Sequence, residues 1–136
     1  MAAVPFVYLV TGMVRSGTSM MMKCLDYGGM DTVWSPETEA KFQVLFPNKN
    51  PCFYERDPDV PLEYEDVIGK VFKCHARDIL AEQWNTKDYN LKVIWMDRHY
   101  DSIHASWLTL GDEYKPDIPA DAIPMTRDHC LMTLYH

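Results

Sequence analysis

Apolar residues along the chain gather in short runs, and the runs alternate between two periodicities. Phe6-Val7-Tyr8-Leu9-Val10 is an unbroken β-branched and aromatic stretch, the pattern of a strand covered on both faces. Gly12 to Gly17 interrupts it. From Thr18 the spacing becomes helical, with Met20, Met21, Cys24 and Leu25 expected on one apolar face. Gly28-Gly29 then supplies a C-terminal stop. Residues 31–66 hold prolines at 36, 47, 51, 58 and 61 and the turn former Asn48-Lys49-Asn50, so loops around one short helix near Glu37–Leu45 are expected. Val71–Cys74 and Leu91–Met96 read as further core strands. Ala76–Trp84 and Asp101–Leu110 read as helices, the second ended by Gly111. Residues 112–124 are rich in Pro and Asp and read as a loop, after which Arg127 and Asp128 lead into a last helix over Cys130–Tyr135. Strands alternating with helices predict an α/β fold with a parallel sheet and right-handed crossovers.

A length of 136 residues fits one domain spanning 1–136. Its apolar share of 47% and charged share of 24% are those of a globular chain. The formal net charge is −7, which suits a nucleic-acid backbone poorly, since that needs clustered cations. An anionic ligand must therefore be captured by a local site working against the field of the whole chain. No run approaches the roughly 20 apolar residues that span a bilayer, and no basic segment precedes Phe6–Val10. A cytoplasmic protein with no membrane or nucleic-acid partner is expected. The cysteines at 24, 52, 74 and 130 form no C-x-x-C or zinc spacing, so they are expected to be reduced structural thiols. Met20-Met21-Met22 reads as core packing.

The segment Gly12-Met13-Val14-Arg15-Ser16-Gly17-Thr18-Ser19 follows a core strand and opens a helix. Glycines there let the backbone curl so that successive N–H groups converge on an anion, and the helix N-terminus adds unpaired donors and the positive end of its dipole. Ser16, Thr18 and Ser19 contribute hydroxyls, and Arg15 a fork of donors with a fixed charge. The G-x-x-x-x-G spacing matches a nucleoside-triphosphatase loop, yet Thr18 stands where that loop carries its lysine. A single phosphate is the better match.

Val14 to Ser19 resembles the 5′-phosphosulfate loop of the sulfotransferase family, P-[KR]-S-G-T-[TS], with Val14 at the position of the usual proline. Asn50-Pro51-Cys52-Phe53-Tyr54-Glu55 is similar to the N-P-x-G-[FY]-[YW]-E stretch of small bacterial and phage members. Aligned on Phe53-Tyr54-Glu55, Cys52 replaces the glycine and the Asn-Pro pair is one residue out of step. Lys73-Cys74-His75 resembles the K-x-H of cytosolic members, and Lys92–Arg98 followed by Ser106 resembles the family's 3′-phosphate strand and helix, with Tyr100 replacing a frequent proline. Together these cover about residues 6 to 110.

What the resemblance implies is a P-loop-type three-layer α/β/α domain with a parallel sheet, incomplete at its C-terminus. Family members continue with another strand and a basic glycine-containing loop, and neither is evident after residue 111. The donor would be 3′-phosphoadenosine 5′-phosphosulfate, with no metal. Gly12, Arg15, Ser16, Gly17, Thr18 and Ser19 would hold its 5′-phosphate, and Arg98 and Ser106 its 3′-phosphate. Ser102 shares a helix face with Ser106, and a surface pairing of Arg98 with Asp97 or Asp101 is the alternative to its phosphate role. His75 would take the acceptor proton, with Lys73 and Arg15 steadying the transferring group and Glu37 or Glu55 as rival bases. Trp34, Phe53, Tyr54 and Trp107 line an acceptor pocket or pack in the core. The acceptor class is a small molecule, glycan or peptide bearing a hydroxyl or amine, and a second copy of the chain is a candidate partner. Two other readings stay open: a kinase-like enzyme acting on ATP, and a non-catalytic nucleotide-binding module.

Overall fold

The expected strands pair into one parallel sheet. The structure is a computed structural model describing residues 6–81, 90–110 and 122–135. Strand β1 (Phe6–Gly12) runs between β2 (Val71–Lys73) and β3 (Asn90–Met96), giving the order β2-β1-β3. Leu9 lies beside Phe72 on one side and Val93 on the other, and Gly12 faces Met96. The central position of β1 explains its continuous apolar run, since both of its faces are covered: Val7, Leu9 and Val10 are all fully buried. Beyond β2 the edge is extended by Thr32, which bridges to Val71, with Val33 donating to the Val71 carbonyl at 2.9 Å. That short extension falls in a region expected to be loop.

Alternate residues of β1 feed two hydrophobic clusters. Val7 and Leu9 pack with Phe72 and with α4 (Ala76–Ala81), α5 (Tyr100–Leu108) and α6 (Ala122–Tyr135), through Ile79, Ile103, Trp107 and Leu134. Val10 packs with Val71, Tyr54 and α1 (Thr18–Tyr27), through Met22, Met21 and Leu25. Helices thus cover both faces of an α/β sheet, and burying each Leu- or Phe-sized side chain there contributes about 1.5–3 kcal/mol.

Several boundaries and faces differ from expectation. In α1 the buried face is Thr18, Met21, Met22 and Leu25, while Met20 is 62% exposed and Cys24 is exposed. Thr18 is buried, and Met22, one turn further on, shares its face; a run of three methionines hides which one that is. Helix α2 (Pro36–Leu45) begins one residue early, capped by Ser35, whose hydroxyl accepts from the Thr38 N–H at 3.1 Å. A single-turn helix α3 (Tyr64–Val67) was not expected. Helix α6 starts at Ala122 rather than Cys130, so residues 122–124 of the expected loop are helical. Pro124 lies in the first turn, where a missing N–H costs nothing. Trp84, Gly111 and residues 112–121 lie outside the described residues. All four cysteines are free thiols.

Candidate functional site

The site begins where β1 runs into α1. Gly12 has φ 155°, and a Cβ there would stand 2.6 Å from the Ser16 hydroxyl oxygen and 2.8 Å from the Met96 carbonyl, so only glycine fits. The chain then turns tightly, with the Ser16 N–H donating to the Met13 carbonyl at 3.1 Å and the Ser16 hydroxyl donating to the same oxygen. Arg15 at φ 68° and Gly17 at φ 101° are both left-handed, and for an arginine that conformation costs about 1 kcal/mol. The first backbone bond of α1 runs from the Met21 N–H to the Gly17 carbonyl at 3.0 Å, and no side chain caps the helix. The N–H groups of Gly17, Thr18, Ser19 and Met20 therefore have no acceptor among the described residues. These are the donors an anion would use.

On the β3 side, two arginines meet over this turn. Arg15 donates through Nε to the Ser106 hydroxyl at 2.9 Å, tying the loop to α5, and Arg98 donates through Nη1 to the Arg15 carbonyl at 2.8 Å. Arg98 pairs with neither Asp97 nor Asp101 among the described residues, and Asp101 instead approaches His99 Nδ1 at 3.8 Å. Burial and the neighbouring Arg98 charge push the Arg15 pKa below its ordinary value. Two cations held side by side, with no carboxylate paired to either among the described residues, are a place where an anion would relieve repulsion. Among the described residues Ser102 makes no hydrogen bond with either arginine.

On the β2 side lies a buried polar cluster. Lys73, whose side chain is 2% exposed, donates to Glu55 Oε1 at 2.9 Å and to the Ser19 hydroxyl at 2.9 Å. Ser19 in turn donates to the Phe53 carbonyl at 3.1 Å, and His75 Nε2 meets the same Glu55 oxygen at 3.0 Å. Burial alone pushes Glu55 up, but the hydrogen bond from His75 and the Lys73 and His75 charges outweigh it and hold the carboxyl at about 2. Burial lowers the Lys73 pKa, and Glu55 offsets only part of that. An ionised carboxylate only accepts, so His75 Nε2 carries the hydrogen. His75 Nδ1 is buried with no partner among the described residues. The strap that delivers Glu55 bends at Tyr54, which has φ 56°; the Tyr54 hydroxyl donates to Asp26 at 3.1 Å and its ring meets Trp34 edge-on at 5.9 Å.

A groove of about 880 Å³ joins the two sides, within the size range of small-molecule sites. Among the described residues, six of the chain's 13 Lys and Arg line it (15, 23, 56, 73, 77 and 98) but only two of its 20 carboxylates, Glu55 and Asp78. Among the described residues the groove is therefore lined by more cations than carboxylates, in a chain that is anionic overall.

Of the residues singled out in the sequence, Arg15, Gly17, Thr18, Ser19, Lys73, His75 and Arg98 line this groove. Gly12 and Ser16 shape the turn beneath it, and Ser106 reaches it through Arg15. Glu55 is in the groove, whereas Glu37 sits on the exposed start of α2, outside it. Phe53 and Trp107 are buried residues that also line it, while Tyr54 and Trp34 do not. Glu39 was not anticipated: its carboxylate accepts the Phe53 N–H at 2.9 and 3.1 Å and fastens α2 to the strap. Phe42 and Phe46 were not anticipated either, although their i, i+4 spacing on a predicted helix was readable. No protein-family model matches the chain, and no curated protein or solved structure matches it.

Proposed function

We propose that this chain is a P-loop-type three-layer sulfotransferase that moves a sulfuryl group from 3′-phosphoadenosine 5′-phosphosulfate to an acceptor hydroxyl or amine. One observation carries the reading. Arg15 of the loop, Ser106 of α5 and Arg98 after β3 are linked by contacts of 2.9 and 2.8 Å, so the 5′-phosphate loop and the pair assigned to the 3′-phosphate form one continuous anion surface. A nucleoside triphosphate needs a lysine after Gly17 to reach its outer phosphates, and Thr18 stands there.

In this reading the orphan N–H groups of Gly17 to Met20 and the Arg15 guanidinium bind the 5′-phosphate and stabilise the negative charge it gains as leaving group. Lys73, one hydrogen bond from Ser19, faces the transferring group. A carboxyl that titrates at about 2 is a poor proton acceptor near neutrality, which favours His75 over Glu55 as base. Glu55 then acts as the positioning residue. It fixes hydrogen on Nε2 and leaves the Nδ1 lone pair free, a buried acceptor whose unsatisfied state costs about 1–3 kcal/mol.

Titration with 3′,5′-bisphosphoadenosine by calorimetry, beside Mg·ATP and adenosine 5′-phosphate, tests the donor. Saturable binding of the bisphosphate, at least tenfold tighter than that of the monophosphate, is expected. Absence of binding at millimolar ligand, or preference for Mg·ATP, overturns the reading.

A further inference from the structure

The strap reaches Lys73 along two routes. The direct one is Glu55, whose Oε1 accepts from Lys73 Nζ at 2.9 Å. The indirect one starts at the Phe53 carbonyl, which accepts the Ser19 hydroxyl hydrogen at 3.1 Å, while the Ser19 oxygen accepts from Lys73 Nζ at 2.9 Å. A hydroxyl carries one hydrogen. With that hydrogen on the Phe53 carbonyl, the Ser19 hydroxyl has none for a phosphate, and its oxygen meets the ammonium instead. Two of the three ammonium hydrogens are thereby directed, and the third remains for the groove that Lys73 lines.

The two strap residues that serve Lys73 are the two that α2 grips. The Glu55 carbonyl accepts the N–H of Ser35, the residue that caps α2, at 2.9 Å. The Phe53 N–H lies 2.9 and 3.1 Å from the two carboxylate oxygens of Glu39. Glu39 is itself fixed, since Gln43 one turn on donates to its Oε1 at 2.9 Å. Between Phe53 and Glu55 stands Tyr54, left-handed at φ 56°, a conformation that a tyrosine keeps only with support from its surroundings. The grip of Glu39 on one side and Ser35 on the other supplies part of that support. A carboxylate is also a stronger acceptor for an amide than a neutral group would be. Electrostatics point the same way: burial lowers the Lys73 pKa, and after Glu55 it is the Glu39 charge that works against the lowering.

We infer that Glu39 is a positioning residue for Lys73, acting through the Phe53 backbone and the Ser19 hydroxyl. The alignment belongs to the protein alone. Its consequence, a directed hydrogen for the sulfuryl group, rests on the donor reading above.

Calorimetry with the sulfuryl donor, without acceptor, and with 3′,5′-bisphosphoadenosine separates Lys73 from the phosphates, because only the donor carries the sulfuryl group. Glu39→Ala should weaken the donor about tenfold and the bisphosphate less than about threefold, the loss of one charge-assisted bond. Ser19→Ala should do the same, and the double variant should lose about tenfold rather than about a hundredfold, since both changes cut one line of contacts. In the free protein, Glu39→Ala should move the Lys73 Cε and Ser19 Cβ resonances and speed exchange of the Phe53 amide by about tenfold or more. Gln43→Ala controls for fastening alone: it loosens α2 from the Asn50 carbonyl, which Gln43 meets at 2.8 Å, and should leave both resonances in place. Glu39→Asp keeps the charge but falls short of Phe53, so it should move them too, and it reads the same contact if the alanine variant does not fold. Glu39→Gln, whose amide oxygen still accepts, should hold Phe53 exchange within about threefold of wild type. Unmoved Lys73 and Ser19 resonances, equal movement in Gln43→Ala, or additive losses in the double variant overturn the inference. If neither nucleotide binds, the donor reading falls by itself, because the resonances of the free protein still decide whether Glu39 aligns Lys73.

Discussion

Arg98 and Glu55 show how much a single side chain can carry here. Arg98 has acids on both sides in sequence, Asp97 and Asp101, yet its guanidinium turns to the Arg15 carbonyl. That choice places a second cation beside Arg15, where an anion would relieve their repulsion. Arg98→Ala should therefore weaken bisphosphate binding by about 10- to 100-fold, the worth of one charge-assisted hydrogen bond of roughly 1.5–3 kcal/mol. Adenosine 5′-phosphate affinity should change less than threefold, and calorimetry reads both. Equal losses for the two nucleotides would remove Arg98 from the 3′-phosphate. Glu55 acts on stability. Its carboxyl lies at about 2 in the fold against 4.5 ordinarily, so its stabilisation is fully present above pH 4.5 and disappears as pH falls through 2. Lys73, whose pKa burial lowers, is held in the fold at a cost that Glu55 offsets in part. Glu55→Gln leaves its ammonium uncompensated and should cost about 3–5 kcal/mol near neutrality. In urea melts the gap between the two proteins should narrow steadily from pH 5 to pH 2; a constant gap would show that Glu55 is not the titrating partner.

Elements differ in how plainly the sequence announced them. The runs Phe6–Val10 and Leu91–Met96 fell where β1 and β3 lie, because strands buried in a parallel sheet are apolar throughout and need no periodicity to be seen. The turn between β1 and α1 was legible for a related reason: Gly12 and Gly17 mark two places where backbone geometry admits no other residue easily. What could not be read was contact across the fold. Nothing in Asn50–Glu55 says that its carboxylate will meet Lys73 and His75, 18 and 20 residues away. Nothing in α2 says that Glu39 will clamp the strap. Helix boundaries slipped at α6, since Pro124 reads as a loop residue although a first turn accepts it. Gly12→Ala tests the loop as an element. The new methyl would press on the Met96 carbonyl of β3, which cannot yield without moving the strand, so a loss of more than about 1 kcal/mol is expected. Bisphosphate binding should fall with it, because the displaced turn no longer aligns the N–H groups of Gly17 to Met20. Thermal melts and calorimetry would report both, and a stable variant with unchanged affinity would separate the turn from the anion site.

Charge at the level of the whole molecule opposes the site it contains. The chain carries −7, yet the groove concentrates six cations against two carboxylates among the described residues. On the proposed reading, a bisphosphate approaching from solvent would meet repulsion at long range and attraction at contact. Salt separates the two. The Debye length is about 30 Å at 0.01 M and about 8 Å at 0.15 M, so added salt removes the distant repulsion first and weakens contacts of 3 Å least. Bisphosphate affinity should accordingly change by less than about threefold between those ionic strengths, and the association rate should rise rather than fall. Proteins that neutralise phosphates with open basic surfaces behave in the opposite way, losing affinity steeply over the same range. Stopped-flow binding at several salt concentrations distinguishes the cases. A tenfold or greater loss of affinity would mean that the cations of the groove act as an exposed patch, and that the enclosure formed by the loop, the strap and α5 contributes little to holding the ligand.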